Sequence, residues 1–302
     1  MAQNYDLIVI GEGISGLTCA GEAARAGLRV ATFESTLFGG LVINVNELDG
    51  YSEGGHTSGT DLASGLMQAS ADAGVKSIQE DVAAVRAGGV GFEVATGGAR
   101  YEARAVVIAS GARLKKLGVP GEAEFEGRGV SSCADCDGPM YQNEDVVVVG
   151  GGDSALQEAL VLAHYCRSVK LVHRGDAFRA RPHLVEQARA NPKLSVSWKT
   201  TVDAILGGKM VEKVRLKGPG GKAEEVPCAG VFAYIGLAPS AGFAPPAIAR
   251  DGHGCLVANA ECETPVAGIW AIGAVRAGYS GLLRDAVPEA RRVAAAVRDR
   301  LD

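Results

Sequence analysis

The chain has no apolar run approaching 20 residues, the length that a membrane-spanning helix requires. Basic residues are not in surplus either: 35 acidic residues outnumber 30 lysines and arginines, and the net charge is −5. That balance leaves no electrostatic footprint for nucleic acid or anionic lipid, so neither a nucleic acid nor a membrane is expected as a partner. Met1–Asp6 has no basic patch leading into an apolar stretch, which predicts no secretory signal. Cysteine is sparse: there are seven, an odd number, and five of them are scattered without pattern. This argues against the disulfide framework of a secreted domain and for a reducing, cytoplasmic setting in which one close pair is chemically special.

Glycine, in contrast, is abundant, with 42 residues, and 47% of the chain is hydrophobic. Together they suit an α/β protein with many tight strand-to-helix turns, and 302 residues suffice for two domains. The apolar run Asp6 to Ile10 ends in Gly11-Glu12-Gly13-Ile14-Ser15-Gly16, a GxGxxG, and Leu17 to Ala26 reads as a helix. Leu28 to Phe33 reads as a second strand, with Glu34 directly after it. In such a unit the glycines admit the pyrophosphate, the helix N-terminus meets it, and the acid about 20 residues on accepts from a ribose hydroxyl. The bland alternative is a tight turn of an ordinary doubly wound sheet. Gly39-Gly40 again permits close backbone approach to a ligand.

A loop is expected over Asn44 to Gly59 and a helix over Thr60 to Gly74. Asp81 to Val107 reads as a β-meander turning at Gly88-Gly89 and Gly97-Gly98. Lys115 to Gly121 reads as a linker. The fingerprint then recurs: strand Asp145 to Val149, turn Gly150-Gly151-Gly152-Asp153-Ser154-Ala155, a helix over Leu156 to Cys166, and strand Val169 to His173. Here the ribose position holds Arg174, with Arg179 close behind. An acid suits a free 2′-hydroxyl and an arginine suits a 2′-phosphate, so two different nucleotides are implied. The alternative for the arginines is a solvated basic face. Leu194 to Ala233 is expected to form antiparallel strands, Pro239, Pro245 and Pro246 mark a second linker, and Leu282 to Leu301 is expected to be helical.

Directly ahead of the second fingerprint lies Cys133-Ala134-Asp135-Cys136-Asp137-Gly138. A zinc site needs about four ligands, and no second CxxC or HxxxH accompanies this pair. A small, reactive disulfide fits better, with a structural pair as the remaining alternative. Hydride transfer and disulfide reduction both move two electrons, and a flavin is the natural intermediary. Asp137, next to Cys136, is placed to move protons.

These features together resemble the low-molecular-weight thioredoxin reductases of the flavoprotein disulfide reductase superfamily. The resemblance rests on the first GxGxxG, Ile108 to Ala112, the CxxC-Asp-Gly ahead of Gly150 to Ala155, His173-Arg174, Phe178-Arg179-Ala180, Ile235-Gly236 and Ile269 to Gly273. It implies an α/β fold of two Rossmann-like, three-layer dinucleotide-binding domains, the second inserted into the first. Residues 1–113 plus 243–302 would bind FAD, and residues 114–242, which carry the CxxC, would bind NADPH.

By the same resemblance FAD contacts Gly11, Gly13, Gly16, Glu34, Gly39, Gly40, the backbone near Val82, and Gly273. NADPH contacts Gly151, Gly152, Asp153, Ser154, His173, Arg174 and Arg179. Cys136 faces the flavin, Cys133 attacks the partner's disulfide, and Asp137 donates the proton. The partner is thioredoxin or another small dithiol protein, and the enzyme is a homodimer.

The sequence also departs from that pattern. Ala274 replaces the aspartate after Gly273, Leu41 replaces a glutamine, Gly50 an asparagine, and Gly175 the second arginine after the histidine. Gly278-Tyr279-Ser280-Gly281 stands where a Tyr-Arg-Gln contact is usual. A dithiol oxidase acting on a small molecule, or a reductase fed by a ferredoxin-like donor, are the alternative functions.

Overall fold

The computed structural model describes residues 3–46, 48, 51, 58–89 and 91–302. The chain forms two compact units: residues 1–113 with 238–302, and residues 114–237. The sequence-based boundary at 242/243 falls in the segment just past the second crossing.

In the first unit, β1 (Gln3–Ile10) leads through a glycine turn into α1 (Ile14–Arg25) and β2 (Val30–Phe33). Then come α2 (Gly59–Asp72), β3 (Lys76–Ile78), β4 (Val82–Ala87), β5 (Phe92–Thr96), β6 (Arg100–Ile108) and β7 (Ala112–Leu114). β1 runs parallel to β2 on one side and to β6 on the other. β4, β5 and β6 form an antiparallel meander.

Alternation along β1 divides the core. Leu7 and Val9 face a helical layer with Cys19, Ala20 and Ala23 of α1, while Ile8 and Ile10 join Val85, Val94 and Tyr101 of the meander. The period of two puts successive side chains on opposite faces, so one strand serves both layers.

The second unit repeats this plan with β8 (Val130–Ser131), α3 (Ala134–Asp137), β9 (Asp145–Gly150), α4 (Asp153–Tyr165), β10 (Ser168–His173), α5 (Pro182–Ala190) and β11 (Leu194–Trp198). It continues with β12 (Thr201–Gly207), β13 (Val211–Lys217), β14 (Ala223–Pro227), β15 (Gly230–Tyr234) and β16 (Leu237–Pro239). Val146 and Val148 face α4 and α5, whereas Val147 and Val149 face Val202, Ile205 and Val214 of the β12–β14 meander. The expectation of antiparallel strands over Leu194 to Ala233 is corrected at both ends. β11 runs parallel to β10, and β15 parallel to β9, so only β12–β14 are antiparallel.

The strands that hold the two crossings, β7 and β16, pair with each other. The chain then completes the first unit with β17 (Ile269–Ala271), parallel to β6, and α6 (Leu283–Leu301), whose Ala290, Val293 and Val297 close the helical layer. Among the described residues no helix is long and apolar enough to cross a membrane.

Candidate active site: two nucleotide cradles and a disulfide

Each unit presents a glycine turn at the carboxyl end of a central parallel strand, β1 in the first and β9 in the second, where the strand order turns to opposite sides. β1 lies between β2 and β6, and β9 lies between β10 and β15. Such a switch point leaves a crevice for a ligand.

In the first unit Gly11 has φ +106°, and a Cβ there would meet the Ala109 carbonyl oxygen at 2.4 Å. A Cβ on Gly16 would lie 1.9 Å from the Gly11 carbonyl oxygen, which lets α1 pack onto the turn. Gly13, the N-cap of α1, has open space instead: its nearest neighbour would be the Gly39 carbonyl oxygen at 4.0 Å. α1 has no side-chain cap and no acidic residue in its first turn, so its leading amides suit an anion.

Gly39 donates to the Glu12 carbonyl oxygen at 2.6 Å, and Gly40 follows in the left-handed region, so this second glycine pair lies against the first turn. Glu34 is held at the end of β2 by the amides of Glu12 (3.2 Å), Ser35 (2.9 Å) and Thr36 (3.1 Å). Gly273 (φ +69°) closes the cradle, since a Cβ there would meet Ser15 Oγ of α1 at 2.8 Å. Its amide donates to Glu289, a buried carboxylate of α6 paired with Arg276. The side chain of Val82 is buried at the start of β4. An extended dinucleotide such as FAD fits these groups: an open, uncapped helix terminus for the pyrophosphate and a fixed carboxylate for a ribose. Leu41 is exposed, and Gly50 lies outside the described residues, as does most of the expected loop.

In the second unit Gly152 is the uncapped N-cap of α4, with open space where a Cβ would stand. Asp153, in the first turn, is turned to Arg181: its carboxylate accepts from the Arg181 amide at 2.7 Å and pairs with the guanidinium at 2.8 Å. His173 is buried at the end of β10, packed against Phe178 and Trp198. The Arg179 amide donates to the Gly151 carbonyl oxygen at 2.8 Å, which draws that loop to the turn. Arg174 and Arg179 are both exposed, and Ser154 lies exposed in the first turn of α4. This cradle fits a dinucleotide with a further phosphate on its ribose.

The same unit holds the cysteine pair. Cys133 and Cys136 are joined as a disulfide, with Cα atoms 5.3 Å apart. Cys133 caps the single turn of α3, its sulfur accepting from the Cys136 amide at 3.2 Å. Cys136 is exposed, and Cys133 and Asp137 are half-buried. The Asp137 amide bonds the Cys133 carbonyl oxygen at 3.1 Å.

Four of the other cysteines, Cys19, Cys166, Cys228 and Cys262, are buried and unlike this pair. Burial pushes the thiols of Cys19 and Cys228 up to about 12, and those of Cys166 and Cys262 to about 11. A thiol held so firmly protonated is a poor nucleophile.

Two residues escape a motif reading. Glu12, an unspecified position of GxGxxG, is 3% exposed and accepts from Thr32 Oγ1 at 2.5 Å. Glu158 of α4 accepts from the Ala134 amide, between the two cysteines, at 3.0 Å. The sequence does carry a signal for Glu158: it stands three residues after Ala155 and four before Leu162, an acid beside the apolar stripe of the helix.

Comparison with known proteins agrees with this arrangement. The family described as "Pyridine nucleotide-disulphide oxidoreductase" matches residues 5–296. The thioredoxin reductase of Treponema pallidum is 39% identical over 92% of this chain and 91% of its own length. That of Bacillus subtilis is 37% identical over 90% and 87%. The crystal structure of Lactococcus lactis thioredoxin reductase superposes with a TM-score of 0.90 at 30% identity, covering 98% of this chain and 99% of that one.

Proposed function

This chain belongs to the pyridine nucleotide-disulphide oxidoreductase family, and on that premise we propose that it reduces thioredoxin, or a similar small redox protein, through the Cys133–Cys136 disulfide. It is an oxidoreductase that uses FAD and NADPH. The observation that carries the reading is the position of the disulfide. It closes one solvent-reachable turn in the same unit as the second nucleotide turn, while four other thiols are buried.

Bound in the first cradle, FAD supplies a two-electron carrier between reduced nicotinamide and sulfur. Gly11, Gly13 and Gly16 leave room for its pyrophosphate, Glu34 accepts from a ribose hydroxyl, and Gly39, Gly40, Val82 and Gly273 line the remainder. Gly151, Gly152 and Ser154 give backbone and hydroxyl contacts to NADPH, with Asp153 holding Arg181 in the same turn. His173 supports that turn, and Arg174 and Arg179 read the 2′-phosphate.

Reduction breaks the Cys133–Cys136 bond with two electrons. The freed Cys133 thiolate attacks the partner's disulfide, and Cys136 then displaces the partner from the mixed disulfide. Asp137 holds the proton that the leaving thiolate takes. In sum, NADPH, one proton and a disulfide give NADP and a dithiol. Met140, 71% exposed just past the pair, offers the partner an apolar contact. Activity as a cytoplasmic homodimer completes the proposal.

The test is anaerobic. Holoenzyme, NADPH and oxidised thioredoxin are mixed, and the thiols of thioredoxin are counted by alkylation and mass. Two new thiols should appear per NADPH consumed. Cys133→Ser and Cys136→Ser should both abolish turnover, and Cys136→Ser should hold thioredoxin as a mixed disulfide. Turnover surviving in either variant removes the pair from the reaction.

A further inference from the structure

Glu158 stands where a carboxylate is not needed for packing. Its helical neighbours Ala155 and Leu162 are buried in the apolar core of the unit, and Glu158 meets the turn that carries the redox pair. One oxygen, Oε2, accepts from the Ala134 amide at 3.0 Å and from the Tyr234 hydroxyl at 3.1 Å. Ala134 is fully buried and Tyr234 is 8% exposed, so both donors are fixed by the core. Ala134 is the residue that follows Cys133 and begins the turn to Cys136.

The charged and titratable groups that face Glu158 are Asp135 of α3 and Tyr234 of β15. Neither brings a positive charge. Burial, with Asp135 beside it, pushes the Glu158 carboxyl above the usual carboxylate range, and the two hydrogen bonds oppose that shift. The tyrosine hydroxyl is held protonated by burial and by the same carboxylate, so it remains a donor.

We propose that Glu158 is a positioning residue for the Cys133/Cys136 couple: it anchors the peptide between the two sulfurs, and its charge disfavours a thiolate there, making the pair a stronger reductant. The inference rests on the reading of this pair as the redox disulfide. Ala134 N is bonded to the carbonyl carbon of Cys133, so covalent geometry keeps Glu158 Oε2 within about 8 Å of the Cys133 sulfur. Partly buried charges at that separation are weakly screened.

Reduction breaks one S–S bond with two electrons. One proton then gives a thiol and a thiolate, and a second proton gives the dithiol. Only the thiolate carries charge for Glu158 to repel, so its effect belongs to alkaline pH and fades as the second proton binds.

Glu158→Gln separates the two roles, because the amide oxygen can still accept from Ala134 while the charge is gone. Holoenzyme of each form is equilibrated anaerobically in dithiothreitol redox buffers at pH 8.5 and pH 6, then alkylated and weighed at the Cys133/Cys136 peptide. At pH 8.5 the glutamine variant should be half reduced at a roughly three- to tenfold lower ratio of reduced to oxidised dithiothreitol. Tenfold is about 30 mV for a two-electron couple. At pH 6 the two forms should coincide.

Tyr234→Phe removes a hydrogen bond that disperses the carboxylate charge, and it should move the pH 8.5 midpoint about twofold the opposite way. Equal midpoints at pH 8.5, an offset of the same size at both pH values, or shifts of one sign in both variants would overturn the inference. A pair that does not pass between disulfide and dithiol in any form would instead overturn the redox reading beneath it.

Discussion

A Cβ on Gly151 would lie 2.3 Å from Nδ1 of His173, so the turn after β9 and the end of β10 compete for one space. His173 is a buried ring packed against the Phe178–Trp198 pair, so it cannot swing aside as a surface side chain would. Gly151→Ala should therefore shift the turn that receives NADPH. The expected result is a rise of about tenfold or more in KM for NADPH with FAD content unchanged, measured by steady-state kinetics and the flavin spectrum.

Arg174 has no ion-pair partner among the described residues and stands exposed at the end of β10. A charge-assisted bond to a phosphate is worth roughly 1.5–3 kcal/mol, with exposure favouring the lower figure. Arg174→Ala should raise KM for NADPH by about tenfold and leave KM for NADH nearly unchanged. Equal changes for both nucleotides would show that this guanidinium does not read the 2′-phosphate.

Ala274 follows Gly273 in a short 3-10 turn whose first amide is already held by Glu289. A carboxylate at 274 would add an acceptor without disturbing that bond. Ala274→Asp should lower the dissociation constant for FAD by about tenfold, from a hydrogen bond of roughly 1.5 kcal/mol. Fluorescence of released flavin during dialysis measures it, and unchanged retention would place the side chain away from the cofactor.

Thiol labelling has a definite pH course. A raised thiol pKa keeps the neutral form dominant until pH approaches the raised value. With values of about 11 for Cys166 and Cys262 and about 12 for Cys19 and Cys228, those four should resist iodoacetamide at pH 8. Their thiolate fraction there is about one in a thousand or less. After mild reduction, peptide mapping should find Cys133 and Cys136 labelled and these four intact. Rapid labelling of Cys19 in the folded protein would contradict its burial.

Much of the fold is legible because glycine spacing and apolar runs are local signals. The runs ending at Gly11 and Gly150 become β1–α1–β2 and β9–α4–β10, and the meander read over Asp81 to Val107 becomes β4–β6. Strand direction is not a local signal, so Leu194 to Trp198 does not show by itself that it runs parallel to β10. β15 carries a clue, since Gly230-Val231-Phe232-Ala233-Tyr234 has no alternating polar residue, the pattern of a strand inside a parallel sheet. Within the site, motifs bring the glycines, Glu34, Arg174 and the cysteines to notice. They miss Glu158 because its partners, Ala134 and Tyr234, are distant in sequence and meet it only after α3 and β15 pack on α4. Glu12 is missed because a GxGxxG pattern leaves that position unspecified, although a buried acid there must find a donor, and Thr32 supplies it.

The pairing of β17 with β6 also governs the order in which the protein can be made. Val106 and Ile269 are neighbours in the sheet, yet the entire second unit is synthesised between them. Closing so long a flexible segment costs about 4.5 kcal/mol of chain entropy beyond a constant, and a prefolded insert shortens the part that must be closed. The insert has its own sheet, helices and meander, so it can fold while the tail still lies in the ribosome exit tunnel. The first unit must wait with Val106–Ile108, the end of β6 that β5 does not cover, open on one side until Ile269–Ala271 emerges. Until then that edge is open to wrong partners, and truncation before β17 should yield an aggregating chain rather than a smaller working one.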